Sequence, residues 1–404
     1  MLRYCGAWMG EGPLRDTDKI GVLTGGGDVP GLNSVIKSVV YRATEMGRSV
    51  IGIRKGWEGL THLDWSQEND TRYARPLTRE NTRAIDRSGG TVLHTSRTNP
   101  LRVKRNGLPK DIPPSELEKL SRDGETFDFT PVVLRSLERL GIGCLIVIGG
   151  DDTLGFATTL QGAGFPVIAI PKTMDNDVRG TEYCVGFSTA ITRAKDLVTR
   201  QRTTLGSHER IGVFRIFGRD AGFTALYTAY VTSARCLIPE YPFDLDLLTS
   251  LLIEDKRNNP SNYSFVIASE GAVWAGKNVA DFGEADAYGH RKKVDIGYAL
   301  AEILRQRTGE DTMVSDLTYD LRSGDPDAVD QVVATTFANL ALDLIGSNIF
   351  GRMAAVREGR YAHAPLPDPA LGPRMVDVAK LYNTERYRPR YTGKLGDPLF
   401  LISA

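Results

Sequence analysis

Cysteine and histidine are scarce in this chain, with four of the first and five of the second in 404 residues. Cys5, Cys144, Cys184 and Cys236 stand far apart and form no CxxC pair, which excludes a zinc ribbon or a dithiol redox motif. His62, His94, His208, His290 and His363 show no HxxxH spacing, so a zincin-type site is excluded as well. Any metal should be a hard ion held by oxygen, such as Mg²⁺. Charge of one sign is also missing. Fifty basic residues balance fifty acidic ones, so no global field draws the chain to nucleic acid or to an anionic membrane, and neither is expected as a partner. No apolar run approaches the roughly 20 residues that span a bilayer. The opening Met1-Leu-Arg-Tyr-Cys-Gly lacks the apolar core of a secretory signal, and a cytoplasmic location is expected.

What is present fits a soluble globular protein, 41% apolar and 25% charged, long enough for two domains. After an extension to about Asp18, Lys19-Ile-Gly-Val-Leu23 reads as a buried strand running into Thr24-Gly-Gly-Gly-Asp-Val-Pro-Gly31. Val35, Ile36, Val39 and Val40 then recur at helical spacing, with Pro30 suited to a first helical turn, and Val50–Ile53 is a second strand. This order predicts a parallel sheet with right-handed crossovers. Arg210–Phe217 and Ser264–Ala268 read as strands of a second α/β unit. Residues from about 100 to 130 read as a polar surface insertion, and the tail from about Gly346 shows little periodicity.

Two turns carry most of the chemistry. Ile148-Gly-Gly-Asp-Asp-Thr-Leu-Gly155 and Pro171-Lys-Thr-Met-Asp-Asn-Asp177 each end an apolar run and so read as the carboxyl ends of buried parallel strands, the edge where open α/β sheets bind ligands. Carboxylates can hold Mg²⁺, glycine amides and a lysine can hold phosphate oxygens, and a further carboxylate can take a proton. That set points to phosphoryl transfer. Gly25-Gly26-Gly27 is either an anion cradle or a tight structural turn. It is neither a dinucleotide fingerprint, since position 30 is proline, nor a Walker loop, since Leu32-Asn33 stands where Lys-Ser/Thr is required. Asp152 has a plainer alternative as a helix cap, and Asp175 and Asp177 as ordinary turn residues.

In order, Thr24–Asn33, Gly89-Gly-Thr-Val-Leu-His-Thr-Ser-Arg97, Ile148–Asp152, Pro171–Asp177, Gly186-Phe-Ser-Thr-Ala190, Phe217-Gly-Arg-Asp-Ala-Gly222 and Pro239-Glu240 resemble the bacterial-type phosphofructokinases, over roughly residues 19 to 345. The resemblance implies two Rossmann-like three-layer α/β domains with mainly parallel sheets and an active site in the cleft between them. It implies a phosphoryl-donor domain of residues 1–186 plus about 322–372, and a sugar-phosphate domain of 187–321 plus a tail of about 373–404. The reaction implied is phosphoryl transfer to the 1-hydroxyl of fructose 6-phosphate. By position, Asp175 is similar to the general base, Asp151 to the Mg²⁺ partner and Asp177 to its helper. Gly26, Gly27, Arg97, Asp152 and Lys172 would meet the donor, with Arg219 and Arg97 neutralising charge in transit. Thr173, Met174, Phe217, Gly218, Glu270, Tyr319 and Arg322 would line the sugar site, Arg322 clamping the 6-phosphate. Arg210 is similar to a residue lent to a neighbouring subunit, which implies a homodimer or homotetramer.

The resemblance also bears on the donor. ATP-using relatives typically have glycine at the place of Asp152 and a small residue at that of Lys172, whereas Asp with Lys marks use of inorganic pyrophosphate. A carboxylate at 152 would lie near the α-phosphate of ATP, and like charges about 4 Å apart repel by roughly 4 kcal/mol at an effective dielectric near 20. Lys172 offers a compact charge to a donor with no nucleoside to grip. Two departures stand out. Tyr319 takes the place of a histidine and Met313 that of an arginine supplied across the subunit interface, so sedoheptulose 7-phosphate is a conceivable side substrate. Ile36 and Val40 are read as replacing the arginines that bind effectors, which predicts no allosteric regulation.

Overall fold

The computed structural model describes residues 15, 18–64, 72–110, 112–276 and 296–391; most of the amino-terminal extension and the end of the tail lie outside the described residues. The chain divides into two compact units. One comprises Met1–Thr173, Val178–Gly186 and Ser323–Gly372; the other Met174–Asp177, Phe187–Arg322 and Pro373–Ala404. The Met174–Asp177 turn thus groups with the second unit.

The principal strands in chain order are β1 (Lys19–Thr24), β2 (Val50–Ile53), β3 (Ala74–Leu77), β4 (Ile142–Gly149), β5 (Val167–Pro171), β6 (Ile211–Ile216), β7 (Arg235–Leu237), β8 (Ser264–Ser269), β9 (Thr312–Leu317), β10 (Arg352–Arg357) and β11 (Arg360–Pro365). The helices used below are α1 (Leu32–Glu45), α2 (Asp151–Gly162), α3 (Phe187–Ser207), α4 (Phe223–Thr232) and α5 (Ala328–Gly346). The first unit holds a seven-stranded sheet, β11-β10-β5-β4-β1-β2-β3, parallel from β10 to β2 and antiparallel only at its two margins. The second holds a four-stranded, all-parallel sheet, β9-β6-β8-β7. The protein is a mixed α/β fold with mainly parallel sheets.

Every residue of β4 and β5 is buried, which is why both read as unbroken apolar runs. Their side chains join Leu154, Phe156 and Leu160 of α2 in one core. Among the described residues α5 is long and apolar enough to cross a membrane by composition alone. Half of it is buried, however, and it packs on α1 and β5, as a core helix does. Its fully buried Asp330 accepts hydrogen bonds from Tyr183 Oη and the Gly186 amide, both at 2.8 Å.

Three expectations need correction. Pro30 does not start α1: the helix begins at Leu32 behind Gly31, whose φ of 102° and 2.7 Å approach to Val185 demand glycine. The 100–130 stretch is more than a polar insertion, since Val103, Leu120, Phe127, Phe129 and Val132 give it a small core of its own. The tail beyond Gly346 contains the β10–β11 hairpin. Its alanines and half-buried margin blur the alternation that marks a strand.

Candidate active site

In the first unit three turns leave the sheet level with one another. Thr24 of β1 is in register with Ile148, and Gly149 of β4 with Pro171. The carboxyl edge therefore carries Gly25–Gly27, Gly150–Asp152 and Lys172 side by side. Gly25 and Gly149 have no room for a side chain, because a Cβ would come within 2.6 and 2.4 Å of Thr153. The Gly25 and Gly26 amides are not bare: they donate to Ile148 O at 3.0 Å and Ser96 O at 2.9 Å. The second of these bonds, with Thr95 Oγ1 donating to Gly26 O at 2.7 Å, draws the Arg97 loop onto the glycine turn. Arg97 itself is exposed.

Lys172 is only 4% exposed; its ammonium donates to the carbonyl of Gly27, beside Gly26. A nearly dry ammonium is a strong point charge. Asp151 is half-buried and Asp152 exposed, both in the first turn of α2. Gly150 occupies the N-cap and no side chain bonds there, so the capping role does not apply to Asp152. The carboxylates interact favourably with the helix terminus without closing it.

The second unit contributes a different set. In the Met174–Asp177 turn Asn176 is buried and left-handed, φ 54°, a conformation asparagine tolerates. Thr224 Oγ1 donates to Met174 O at 2.9 Å, securing one flank of Asp175. Burial pushes the Asp175 carboxyl up to about 8, and the charges of Asp177, Glu270 and Asp220 push the same way against Arg219. After β6, Gly218 adopts φ 125°, with Ser269 Oγ 2.3 Å from where a Cβ would stand. Ser269 Oγ and the Gly271 amide both donate to Gly218 O, at 2.6 and 3.1 Å, lacing the Phe217–Gly222 turn to the turn that bears Glu270. Arg219 pairs with Asp220 at 2.9 Å and leaves its guanidinium in solvent. Tyr319, 72% exposed, meets Phe217 edge-on at 6.5 Å, and Arg322 lies 5.8 Å from both rings.

Arg210 is separated from these residues. It precedes β6 while Phe217 follows it, and the intervening strand spans about 20 Å. Met313 pairs with Gly212 in the register of β9 and β6, so it shares the edge of Arg210, while Tyr319 lies at the edge of Phe217. Two residues escaped the sequence reading. Arg215 bridges Glu270 at 3.2 Å and Asp316 at 2.5 Å. The signal was there: an arginine inside Val213-Phe-Arg-Ile216, a strand otherwise buried, needs a partner. Arg374, which contacts the Asn176 and Asp177 carbonyls, left no such trace. Ile36 and Val40 prove to be core residues with no exposure, so they say nothing about effectors; the outward face of α1 carries Lys37, Tyr41 and Arg42 instead.

Among the described residues no group of three His, Cys, Asp or Glu could enclose a metal. Mg²⁺ keeps several waters and is commonly held by one or two carboxylates completed by substrate phosphates, and Asp151 in the first unit and Asp177 in the second are carboxylates of the type it takes.

The family model for phosphofructokinase matches residues 19–345. The chain belongs to the phosphofructokinase family. Phosphofructokinases transfer a phosphoryl group to a hydroxyl, and this chain is such an enzyme. It is 36% identical over 342 residues to a pyrophosphate–fructose 6-phosphate 1-phosphotransferase of Amycolatopsis methanolica, covering 84% of this chain and 90% of that one. It is 35% identical over 370 residues to ATP-dependent 6-phosphofructokinase 3 of Streptomyces coelicolor, covering 91% and 99%. A pyrophosphate-dependent phosphofructokinase from Marinobacter aquaeolei shares the fold, with a TM-score of 0.70 at 17% identity over 92% of this chain and 89% of that one.

Proposed function

We propose that this phosphofructokinase transfers a phosphoryl group from inorganic pyrophosphate to the 1-hydroxyl of fructose 6-phosphate, reversibly, in the cytoplasm. The new bond joins the sugar oxygen to phosphorus, the bridging P–O bond breaks, and inorganic phosphate leaves. Asp175 takes the hydroxyl proton. Its raised affinity for a proton suits that task, and Arg219 beside it keeps the ionised form within reach. Lys172 receives the donor's charge at the Gly26-Gly27 loop, with Arg97 and Arg219 neutralising the charge that moves. Thr173 and Met174 border the transferring group. Phe217, Gly218, Glu270, Tyr319 and Arg322 orient the sugar phosphate, joined by Arg210 from a second subunit of a homodimer or homotetramer. Asp151 and Asp177 would hold Mg²⁺, which when bound supplies positive charge to the phosphoryl oxygens.

The buried Lys172 ammonium carries the choice of donor. A small donor without a nucleoside must be gripped by charge alone, and a dry lysine backed by a carbonyl is such a grip. The relative from Amycolatopsis bears the corresponding name. The second reading is an ATP-dependent enzyme, favoured by the equally similar Streptomyces relative and by the exposure of Asp152, which leaves that carboxylate free to turn aside. Purified protein with Mg²⁺ and fructose 6-phosphate should form fructose 1,6-bisphosphate with pyrophosphate and not with ATP; product from ATP alone refutes the first reading. In the double variant Asp152→Gly, Lys172→Gly, pyrophosphate activity should fall and ATP use rise.

A further inference from the structure

The family match ends at residue 345, yet the chain beyond it comes back to the turn that carries Asp175. Arg374 donates its main-chain N–H to Asp177 O and its guanidinium to Asn176 O, each at 2.6 Å, and the guanidinium lies 4.3 Å from the ring centre of Phe223. Two residues on, the Val376 amide donates to Glu240 Oε1 at 2.9 Å, and the same oxygen accepts the Gly222 amide at 2.9 Å. Glu240 belongs to the Pro239-Glu240 motif, for which no task has yet appeared. Its Oε2 is buried without a hydrogen bond, packed where a Cβ on Gly222 would meet it at 2.8 Å.

We propose that Arg374–Val376 is a strap that fixes the Met174–Asp177 turn, with Arg374 as a positioning residue for Asp175 and Glu240 as the strap's anchor. The turn belongs to no helix or ladder, so bonds from other segments contribute to fixing its peptides. Thr224 holds the carbonyl before Asp175, and Arg374 holds the two that follow it. Glu240 in turn ties the strap to Gly222, the residue that opens α4 and precedes both Phe223 and Thr224. Three stretches distant in sequence are thereby laced to the turn that bears this carboxylate. Positioning of this kind is worth much in catalysis, since a small displacement of a reacting group is costly.

The inference rests on the reading of Asp175 as the base. In full-length enzyme, Arg374→Ala should lower kcat by about 10- to 100-fold while KM for fructose 6-phosphate and pyrophosphate stays within about twofold, and Arg374→Lys should recover part of the loss. Amide hydrogen exchange across residues 174–177 should quicken by roughly tenfold in Arg374→Ala. Unchanged kcat or unchanged exchange overturns the strap, as does a rise in KM with kcat intact, which would make Arg374 a binding residue. Should the alanine variant not fold, Arg374→Gln, which keeps a donor and most of the stem, is read in the same two ways. Asp175→Asn run in parallel separates the two ideas: retained activity there defeats the base assignment, while the exchange measurement still decides the strap.

Discussion

Lys172 of the first unit and Arg219, Tyr319 and Arg322 of the second are held in opposite ways. In the first, Lys172 is nearly dry, fastened to a backbone carbonyl, and close in the sheet to Gly25 and Gly149, which tolerate no side chain. In the second, Arg219, Tyr319 and Arg322 stand largely in solvent or against one another, and Glu270 is held by the side chain of Arg215. Under the proposed reaction, a donor that is the same small anion every time would suit a socket fixed by backbone, and a sugar phosphate with several hydroxyls would suit side chains that exchange partners on binding. Asp175, half-buried with one carboxyl oxygen shielded from solvent but grouped with the second unit, is the exception that makes the contrast useful.

The largest effect should come at that exception. Asp175→Asn should cut kcat by roughly 10²- to 10⁴-fold, and a loss under tenfold would move the base elsewhere. The parent's kcat/KM should climb as pH rises toward about 8, where the Asp175 carboxyl ionises, with burial and Asp177 as the main causes. Stability runs the other way. A carboxyl whose folded value is raised from 3.8 to about 8 binds its proton more tightly when folded, so its contribution is full below pH 3.8 and is lost as pH rises through 8. Unfolding of chelator-treated protein should therefore show stability declining across that window, and Asp175→Asn should flatten the decline.

The rigid socket should answer next. Gly149→Ala drives a methyl to 2.4 Å from Thr153 and should cost about 1–3 kcal/mol in denaturant titrations, with donor KM rising because Lys172 is bonded to the same glycine. On the adaptable side, Arg215→Met should raise KM for fructose 6-phosphate about fivefold and leave the pyrophosphate KM alone, since a half-buried ion pair is worth on the order of 1 kcal/mol. The smallest change belongs to Tyr319→Phe. Its ring is mostly exposed, so the melting point should not move, and a shift in sugar KM alone would show that the hydroxyl meets phosphate.

How much of this was written in the sequence depends on which force placed each residue. Burial wrote β4 and β5 plainly, because parallel strands covered on both faces are continuous apolar runs, and the charged turns that follow them could be read at once. The β10–β11 hairpin was illegible because a half-covered margin built with alanines has no contrast. Ile36 and Val40 misled for the opposite reason: positions judged by family correspondence turned out to face the core. Arg374 was beyond reach, since its contacts are to main-chain carbonyls far away in sequence and no local pattern encodes them.

The placement of Arg210 has a consequence of a different sort. Six strand residues separate it from Phe217, so one chain cannot bring it to the edge of Phe217, where the sugar phosphate is proposed to bind. If a second chain lends it, catalytic competence is set by the amount of enzyme as well as by its substrates. On dilution, specific activity would decay as subunits part, with the sugar KM rising first and pyrophosphate affinity persisting. A cell making more of this protein would then gain more than proportionate flux.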